Sequence, residues 1–396
     1  MKVLQINSVC GFGSTGRIAT DIADILITGG DDCKILFGRG EAPEKYKDIA
    51  VKFSSSLDVK IHGVLTRLFD KHGFYSKAAT KRLIKEIEKY SPDVIHLHNI
   101  HVYYLNVELL FDYLKKADIR VVWTLHDCWT MTGHCAHFSA VCCDKYLSGC
   151  YDCPQLKEYP ATIYGGNVKS NYKRKKAAFT GVRDLIIITP SKWLAEVTKA
   201  SFLGEYPVIP IYNGLDLDVF KPTASDFKAR HGIEGKKMVL GAANVWDKYK
   251  GLNDFIELAG KLDDSCKLVL VGLTEEQIAA LPKNIIGLPR TKNIDELVQI
   301  YSAADVFVNP SVQETMGLST AEALACGTPV ITYNKTAVPE VPDDTCGIVI
   351  EPGVDNIISA LEKADFSADA CIKRAAQFEK HQQYLKYIDV YKKGHK

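Results

Sequence analysis

Residues 305–333 read Asp305-Val306-Phe307-Val308-Asn309-Pro310-Ser311-Val312-Gln313-Glu314-Thr315-Met316-Gly317-Leu318-Ser319-Thr320-Ala321-Glu322-Ala323-Leu324-Ala325-Cys326-Gly327-Thr328-Pro329-Val330-Ile331-Thr332-Tyr333. A β-branched run ends at Asn309, a polar loop follows, a helix-forming stretch starts at about Ser319, and Pro329 opens a second β-branched run. That is one strand-loop-helix-strand unit, the building block of a parallel sheet. Two carboxylates, Glu314 and Glu322, stand eight residues apart across its loop-to-helix junction, with Gly317 between them to permit close backbone approach. One acid falls on the loop and the other a turn inside the helix, so both can face one ligand.

The same alternation runs outward along the chain. Candidate strands lie at 2–6, 33–37, 93–98, 120–125 and 185–189, and again at 208–211, 237–241, 267–271, 305–309 and 329–332. They predict two doubly wound α/β domains, 1–200 and 201–375, followed by a helix over 376–396. In the helical tail from about Ala368, the residues Phe378, Tyr384, Tyr387, Ile388 and Tyr391 form one apolar face. Such a face needs a cover, and the first domain is the economical one. The longest apolar runs, such as Leu185-Ile186-Ile187-Ile188, are strand-length, far short of the roughly 18 residues of a membrane span. The N-terminus reads as a first strand, not a secretory signal, which predicts a cytoplasmic chain.

The net charge of +1 argues against a nucleic-acid partner, but it hides +7 in residues 1–200 and −6 in 201–396. The basic half is the side for an anionic partner. Its densest run, Lys169 to Lys176, reads either as a solvated helix face or as a contact with an anionic membrane surface or phosphorylated acceptor.

The first strand runs into Cys10-Gly11-Phe12-Gly13-Ser14-Thr15-Gly16-Arg17, a glycine loop at a helix start that suits phosphate and makes Gly13, Ser14 and Gly16 donor-binding candidates. The spacing matches a dinucleotide fingerprint, yet the ribose-binding acid it requires falls at Asp31-Asp32, before the second strand and not at its end, which argues against hydride transfer.

With Glu314 and Glu322 as its core, the chain resembles the retaining glycosyltransferases of family 4. Other matches are Asn213-Gly214-Leu215-Asp216 with Phe220 and Pro222, Lys250-Gly251, Thr189-Pro190-Ser191-Lys192 and the N-terminal glycine loop. The resemblance implies the GT-B fold, two facing Rossmann-like domains with a C-terminal helix crossing back to the first. It implies a nucleotide-diphosphate sugar donor, UDP or GDP, and transfer to a saccharide or lipid-linked hydroxyl acceptor, with possible peripheral contact at the inner membrane face. Glu314 would then bind the donor sugar and Glu322 the ribose, with Asn213, Thr315, Met316, Gly317 and Leu318 lining the donor. Lys250 would neutralise the diphosphate, and no catalytic metal is implied, so Asp216-Leu217-Asp218 reads as structural. The family's Arg six residues before that Lys is Asn244 here, which leaves Lys248 as a candidate second cation; Met316 stands where an aromatic is usual. These two departures alone favour a non-catalytic sugar-nucleotide-binding subunit, and a sugar-nucleotide epimerase would share the donor residues.

Trp123-Thr124-Leu125-His126-Asp127 ends a strand, where open α/β sheets meet ligands. His126 matches the family's active-site histidine, with Asp127 placed to orient its ring. His96 and, as acceptor-side candidates, His98, Asn99 and His101 end another strand. Six of 12 cysteines fall within 128–153, among them Cys135, Cys143, Cys150 and Cys153, with His134 and His137 beside them. In a cytoplasmic chain this pattern favours a structural zinc over free thiols, a disulfide or an iron–sulfur cluster. Thr132-Gly133-His134-Cys135 and Cys153-Pro154-Gln155-Leu156 resemble a subset of bacterial family-4 enzymes.

Overall fold

The computed structural model describes residues 1–393 in two compact units, Met1–Tyr212 with the C-terminal segment from Gln383, and Asn213–Gln382. The first unit is built on seven strands, β1 (Lys2–Asn7), β2 (Asp32–Phe37), β3 (Ala50–Lys52), β4 (Val94–Leu97), β5 (Arg120–Thr124), β6 (Leu185–Thr189) and β7 (Val208–Pro210). The second has six, β8 (Lys237–Ala242), β9 (Cys266–Val271), β10 (Ile285–Leu288), β11 (Val306–Asn309), β12 (Val330–Tyr333) and β13 (Gly347–Ile350). The orders are β3-β2-β1-β4-β5-β6-β7 and β10-β9-β8-β11-β12-β13, and every pair is parallel. Each sheet therefore reverses direction once, between β1 and β4 in the first unit and between β8 and β11 in the second. Helices wound on opposite faces part there, leaving the strand C-termini open to a ligand.

The chain leaves the first unit at Tyr212, past the expected boundary near residue 200. The reason is β7, which a reading of apolar runs assigns to the second domain but which pairs with β6, Ile187 opposite Val208. The C-terminal tail is also two helices. Ala368–Ala375, capped by the Ser367 side chain, belongs to the second unit, whereas the greater part of Lys380–Lys392 belongs to the first. There Tyr384, Tyr387, Ile388 and Tyr391 join Ile18, Val94, Val122 and Ile188 in one buried cluster. Arg120 donates to the Val390 carbonyl at 3.3 Å, and Tyr391 Oη meets His96 Nδ1 at 2.7 Å, so this helix is held by polar as well as apolar contacts. Phe378 is buried in the second unit, its carbonyl accepting from Leu215 N–H at 2.7 Å. Among the described residues, no helix is long and apolar enough to cross a membrane.

Candidate active site

Every candidate catalytic or donor residue of the second unit but one follows β8 or β11, the two strands at its reversal point. Gly251 sits at φ +77°, and a Cβ there would meet Pro310 at 2.4 Å, so only glycine lets the segment after β8 close on the segment after β11. Val312 N–H donates to the Tyr249 carbonyl at 3.0 Å and fastens the two. Lys250 consequently forms an ion pair with Glu314, both side chains about one-quarter exposed or less. Glu314 N–H is held by Thr336 Oγ1 at 3.0 Å. Thr315, partly exposed, follows Glu314, and Gly317, at φ +85°, begins the helix Leu318–Ala325. Within that helix Glu322 accepts from Tyr301 Oη at 3.0 Å, and Tyr301 is fully buried, so the carboxylate is fixed from below. The remaining candidate, Asn213, lies far off in sequence but donates its N–H to Met316 Sδ at 3.2 Å, and its buried Oδ1 has no partner. Met316 is buried. The structure thus brings Lys250 to Glu314 and Asn213 to Met316. Asn244 and Lys248 are exposed, with Lys248 Nζ 4.9 Å from the Tyr249 ring centre.

In the first unit the residues after β1, β4 and β5 converge. Gly13 and Gly16 lie in the first turn of the helix Gly13–Thr28, whose cap residue Phe12 makes no side-chain cap, leaving first-turn N–H groups available beside exposed Ser14. Asn7 Oδ1 accepts from Asn99 N–H at 3.3 Å, tying the end of β1 to that of β4. His98 lies between Gln5 Oε1, 2.8 Å from Nε2, and His126 Nε2, 3.4 Å from Nδ1, with the two imidazoles stacked at 14°. Burial pushes His126 down to about 4, and His98 well below the ordinary histidine range, so both rings are neutral at pH 7.

Asp127 does not orient His126. Its Oδ2 pairs with His101 Nε2 at 2.7 Å and its Oδ1 accepts from Trp129 N–H at 2.9 Å, because adjacent residues leaving a strand point to opposite sides. His101 in turn meets Tyr159 Oη at 3.0 Å. Sequence reading missed Gln5, Asn7, Tyr159, Tyr301 and Thr336; only the strand-end position of Asn7 signals a role.

The basic run also divides. On the helix Val168–Phe179, Lys169, Lys173 and Lys176 are exposed, while Arg174 pairs with Glu108 and Lys175 is buried over the Trp129 ring, its Nζ donating to the Trp129 carbonyl. Burial pushes Lys175 down to about 7. Beneath this helix, Cys135, Cys143, Cys150 and Cys153 line a single cavity together with His134. All four are free thiols, which sets the disulfide reading aside for this structure, and Cys135 donates to Cys153, lowering the Cys153 thiol. As placed, no three His, Cys, Asp or Glu side chains among the described residues form a group able to hold a metal ion.

Two doubly wound parallel sheets, each with its polar groups gathered at the reversal point, define a glycosyltransferase of the GT-B fold. Residues 15–219 match the family model for glycosyltransferase family 4, and residues 224–378 that for glycosyl transferases group 1. The first match spans more than half of the chain, which belongs to glycosyltransferase family 4. WcaC of Escherichia coli K12, a protein named for glycosyl transfer in colanic acid biosynthesis, is 23% identical over 99% of both chains. The processive diacylglycerol α-glucosyltransferase of Acholeplasma laidlawii is 27% identical over 44% of this chain, an alignment spanning 60% of that enzyme. Among solved structures, sucrose-phosphate synthase of Thermosynechococcus elongatus superposes with a TM-score of 0.71 at 16% identity, covering 98% of each chain. HepE of Anabaena, crystallised with UDP-glucose, gives 0.65 at 16% identity over 98% of this chain and 99% of its own.

Proposed function

We propose that the protein transfers a sugar, with retention of anomeric configuration, from a nucleotide-diphosphate donor to a hydroxyl of a lipid-linked saccharide. The observation that carries the donor assignment is the pair of carboxylates at the reversal point of the second sheet, Glu314 ion-paired with Lys250 and Glu322 fixed by Tyr301. Glu322 accepts the ribose hydroxyls, Glu314 the hydroxyls of the transferred sugar, and Lys250 meets the diphosphate; on the first unit the first-turn N–H groups of Gly13, Ser14 and Gly16 suit a phosphate in their own right. Retention needs no enzyme nucleophile when the leaving diphosphate itself takes the acceptor proton, so the protein's task is positioning and electrostatic stabilisation. His126, neutral and stacked on His98, is a hydrogen-bonding group for a sugar; Asn99 and His101 are the acceptor-side groups, and His98, buried between Gln5 and His126, supports the His126 ring instead of facing the acceptor.

Support for a membrane-borne acceptor lies on the helix Ser56–Phe69, where Leu57, Ile61 and Val64 expose half or more of their surface along one face beside Lys60 and Arg67. Ile163 N–H bonds the Arg67 carbonyl at 2.8 Å, which adds exposed Ile163 and Tyr164 to the patch. An apolar stripe with flanking cations suits an anionic bilayer surface.

The test is binding and turnover against a panel of UDP-, GDP- and ADP-sugars. One nucleotide should bind best; Glu322→Ala should weaken that free nucleotide, whereas Glu314→Ala should depress turnover and leave nucleotide affinity no weaker. Equal losses of nucleotide affinity in both variants would refute the division of roles. Conversion of donor alone to an isomeric sugar nucleotide would refute transfer.

A further inference from the structure

Two tyrosine rings form a shelf beyond the C-terminal ends of the first sheet's strands. Tyr159, 41% exposed, stands 6.2 Å from Tyr103 between ring centres, and both pack on the buried His72 ring, at 5.5 and 4.6 Å. An exposed ring costs entropy when a ligand orders it, but Tyr159 is already fixed at its far end. Its hydroxyl meets His101 Nδ1 at 3.0 Å, His101 Nε2 meets Asp127 Oδ2 at 2.7 Å, and Asp127 Oδ1 accepts from Trp129 N–H at 2.9 Å. A carboxylate only accepts, so Nε2 carries the hydrogen and, in the neutral ring, Nδ1 takes the Tyr159 O–H. Tyr103 is fixed through its backbone. It and Val102 adopt left-handed conformations, φ +69° and +77°, which a β-branched residue keeps only where its surroundings hold it; here His72 Nε2 accepts from Val102 N–H at 3.1 Å. Tyr103 Oη has no hydrogen-bond partner among the described residues.

Two arginines flank the shelf. A Cβ on Gly38 would stand 2.0 Å from the Tyr104 ring, so glycine lets the loop after β2 close on the loop after β4, which carries Arg39 towards Tyr103. The helix Ser56–Phe69 brings the second: a Cβ on its Gly63 would lie 3.9 Å from the Tyr103 ring, and the Arg67 carbonyl accepts from Thr162 Oγ1 at 3.2 Å, in the segment that follows Tyr159. Both arginines act electrostatically on the Tyr103 hydroxyl, and Arg39 on that of Tyr159 as well. Among the described residues neither guanidinium has an ion pair or a hydrogen bond. Asp127, the carboxylate that acts on Tyr159, is already engaged by His101 and the Trp129 N–H.

Building on the glycosyl transfer proposed above, we infer that Tyr159 and Tyr103, with Arg39 and Arg67 beside them, bind the acceptor, and that this acceptor is a saccharide bearing an oxyanion, a uronate or a phosphate. The C–H face of a pyranose lies on the electron-rich face of the Tyr159 ring. The planar guanidinium forks take the carboxylate or phosphate in charge-assisted hydrogen bonds, and the Tyr103 hydroxyl is left for a sugar hydroxyl. His101 holds the Tyr159 ring, and Asp127 acts through His101, so both are positioning residues.

The test titrates the full-length protein, its donor site filled with the nucleoside diphosphate that binds best, and reads binding by ligand-observed NMR. The probes are methyl β-D-glucuronide, α-D-glucosyl phosphate, methyl β-D-glucoside and inorganic phosphate. Both charged glycosides should bind about 10–100-fold tighter than the neutral one, the tighter of the two distinguishing uronate from phosphate as the preferred anion. Inorganic phosphate, with no ring for the shelf, should bind more weakly than glucosyl phosphate. Arg39→Gln combined with Arg67→Gln should bring the charged glycosides down to the neutral one, whose affinity stays as it was. Tyr159→Leu should weaken all three glycosides by up to about 10-fold. Nucleotide affinity should hold in every variant, which a general loss of fold would not allow. Equal affinity for charged and neutral glycosides, charged ones indifferent to the arginine changes, or no binding of any glycoside would each overturn the proposal. Should Tyr159→Leu fail to fold, the arginine variant still decides. Absence of nucleotide binding would instead refute the donor reading, and the same titrations without nucleotide would still read the shelf.

Discussion

Lowering the pH from 7 to 5.5 should destabilise the first unit severely while its carboxylates remain ionised. Four of its histidines, His62, His72, His96 and His98, are at most 3% exposed. Their neutrality is built into their hydrogen bonds: His62 Nε2 accepts from Gly73 N–H and His72 Nε2 from Val102 N–H, each at 3.1 Å, so a proton on either nitrogen would confront another N–H. Burial lowers all four below the ordinary histidine pKa, His62 to about 3. The sign follows from which state binds more protons. Unfolded histidines take up protons as pH falls through about 6.5 and the folded ones do not, so the cost is absent above 6.5 and grows as pH falls. Integrated from pH 7 to 5.5, each excluded proton costs on the order of 1 kcal/mol, hence roughly 5 kcal/mol for four, comparable with the whole stability of a domain. Urea unfolding at the two pH values, followed by hydrogen exchange in peptides of each unit, reads the loss where it occurs. His62→Gln should reduce the pH effect by on the order of 1 kcal/mol. A first unit that loses less than about 1 kcal/mol over this range would show that the folded state admits protons to these rings, and the reasoning would fail.

Two further outcomes concern the second unit. Tyr301→Phe removes a hydrogen bond to the Glu322 carboxylate with little change in packing, and nucleotide affinity measured by calorimetry should fall by up to about 10-fold with the fold intact. Lys250→Met should lower turnover by about 100-fold or more, and if Lys248 supplies the second cation, Lys248→Ala should lower it as well, with Asn244→Arg restoring it; an unaltered Lys248→Ala leaves one cation at work.

Most of both sheets was legible because buried parallel strands are nearly continuous apolar runs, as in Val306–Asn309 and Leu185–Thr189. The strands that escaped, β3, β10 and β13, are short, partly exposed and at or beside sheet edges, where neither apolar run nor alternation is required. β7 was visible but misassigned, since a sequence carries no record of which sheet an edge strand joins. Among the candidate site residues, Glu314 and Glu322 stand out by local spacing and Lys250 only through the family resemblance, while the groups that hold them carry no such signal. Tyr301 lies 21 residues from Glu322, and Thr336 lies 22 from Glu314. Lys175 was hidden differently: inside a run of four basic residues, only the 3.6-residue turn of the helix decides which one faces inward.

The Lys250–Glu314 pair shows why spacing alone understates this site. A lysine assigned to a diphosphate and a glutamate assigned to sugar hydroxyls would, left apart, each be a partly buried charge without a partner. Gly251 against Pro310 brings them together, so without donor each neutralises the other. On the proposed roles, an arriving donor's diphosphate would compete for the ammonium and its hydroxyls for the carboxylate, and both charges would pass from one partnership to another without being stripped bare. On that assignment the cost of desolvating them would be met in the folded chain before substrate binds, a form of electrostatic preorganisation. Removing Glu314 therefore frees Lys250 for the nucleotide even as it removes the sugar's partner, and for that reason turnover and nucleotide affinity should separate in Glu314→Ala.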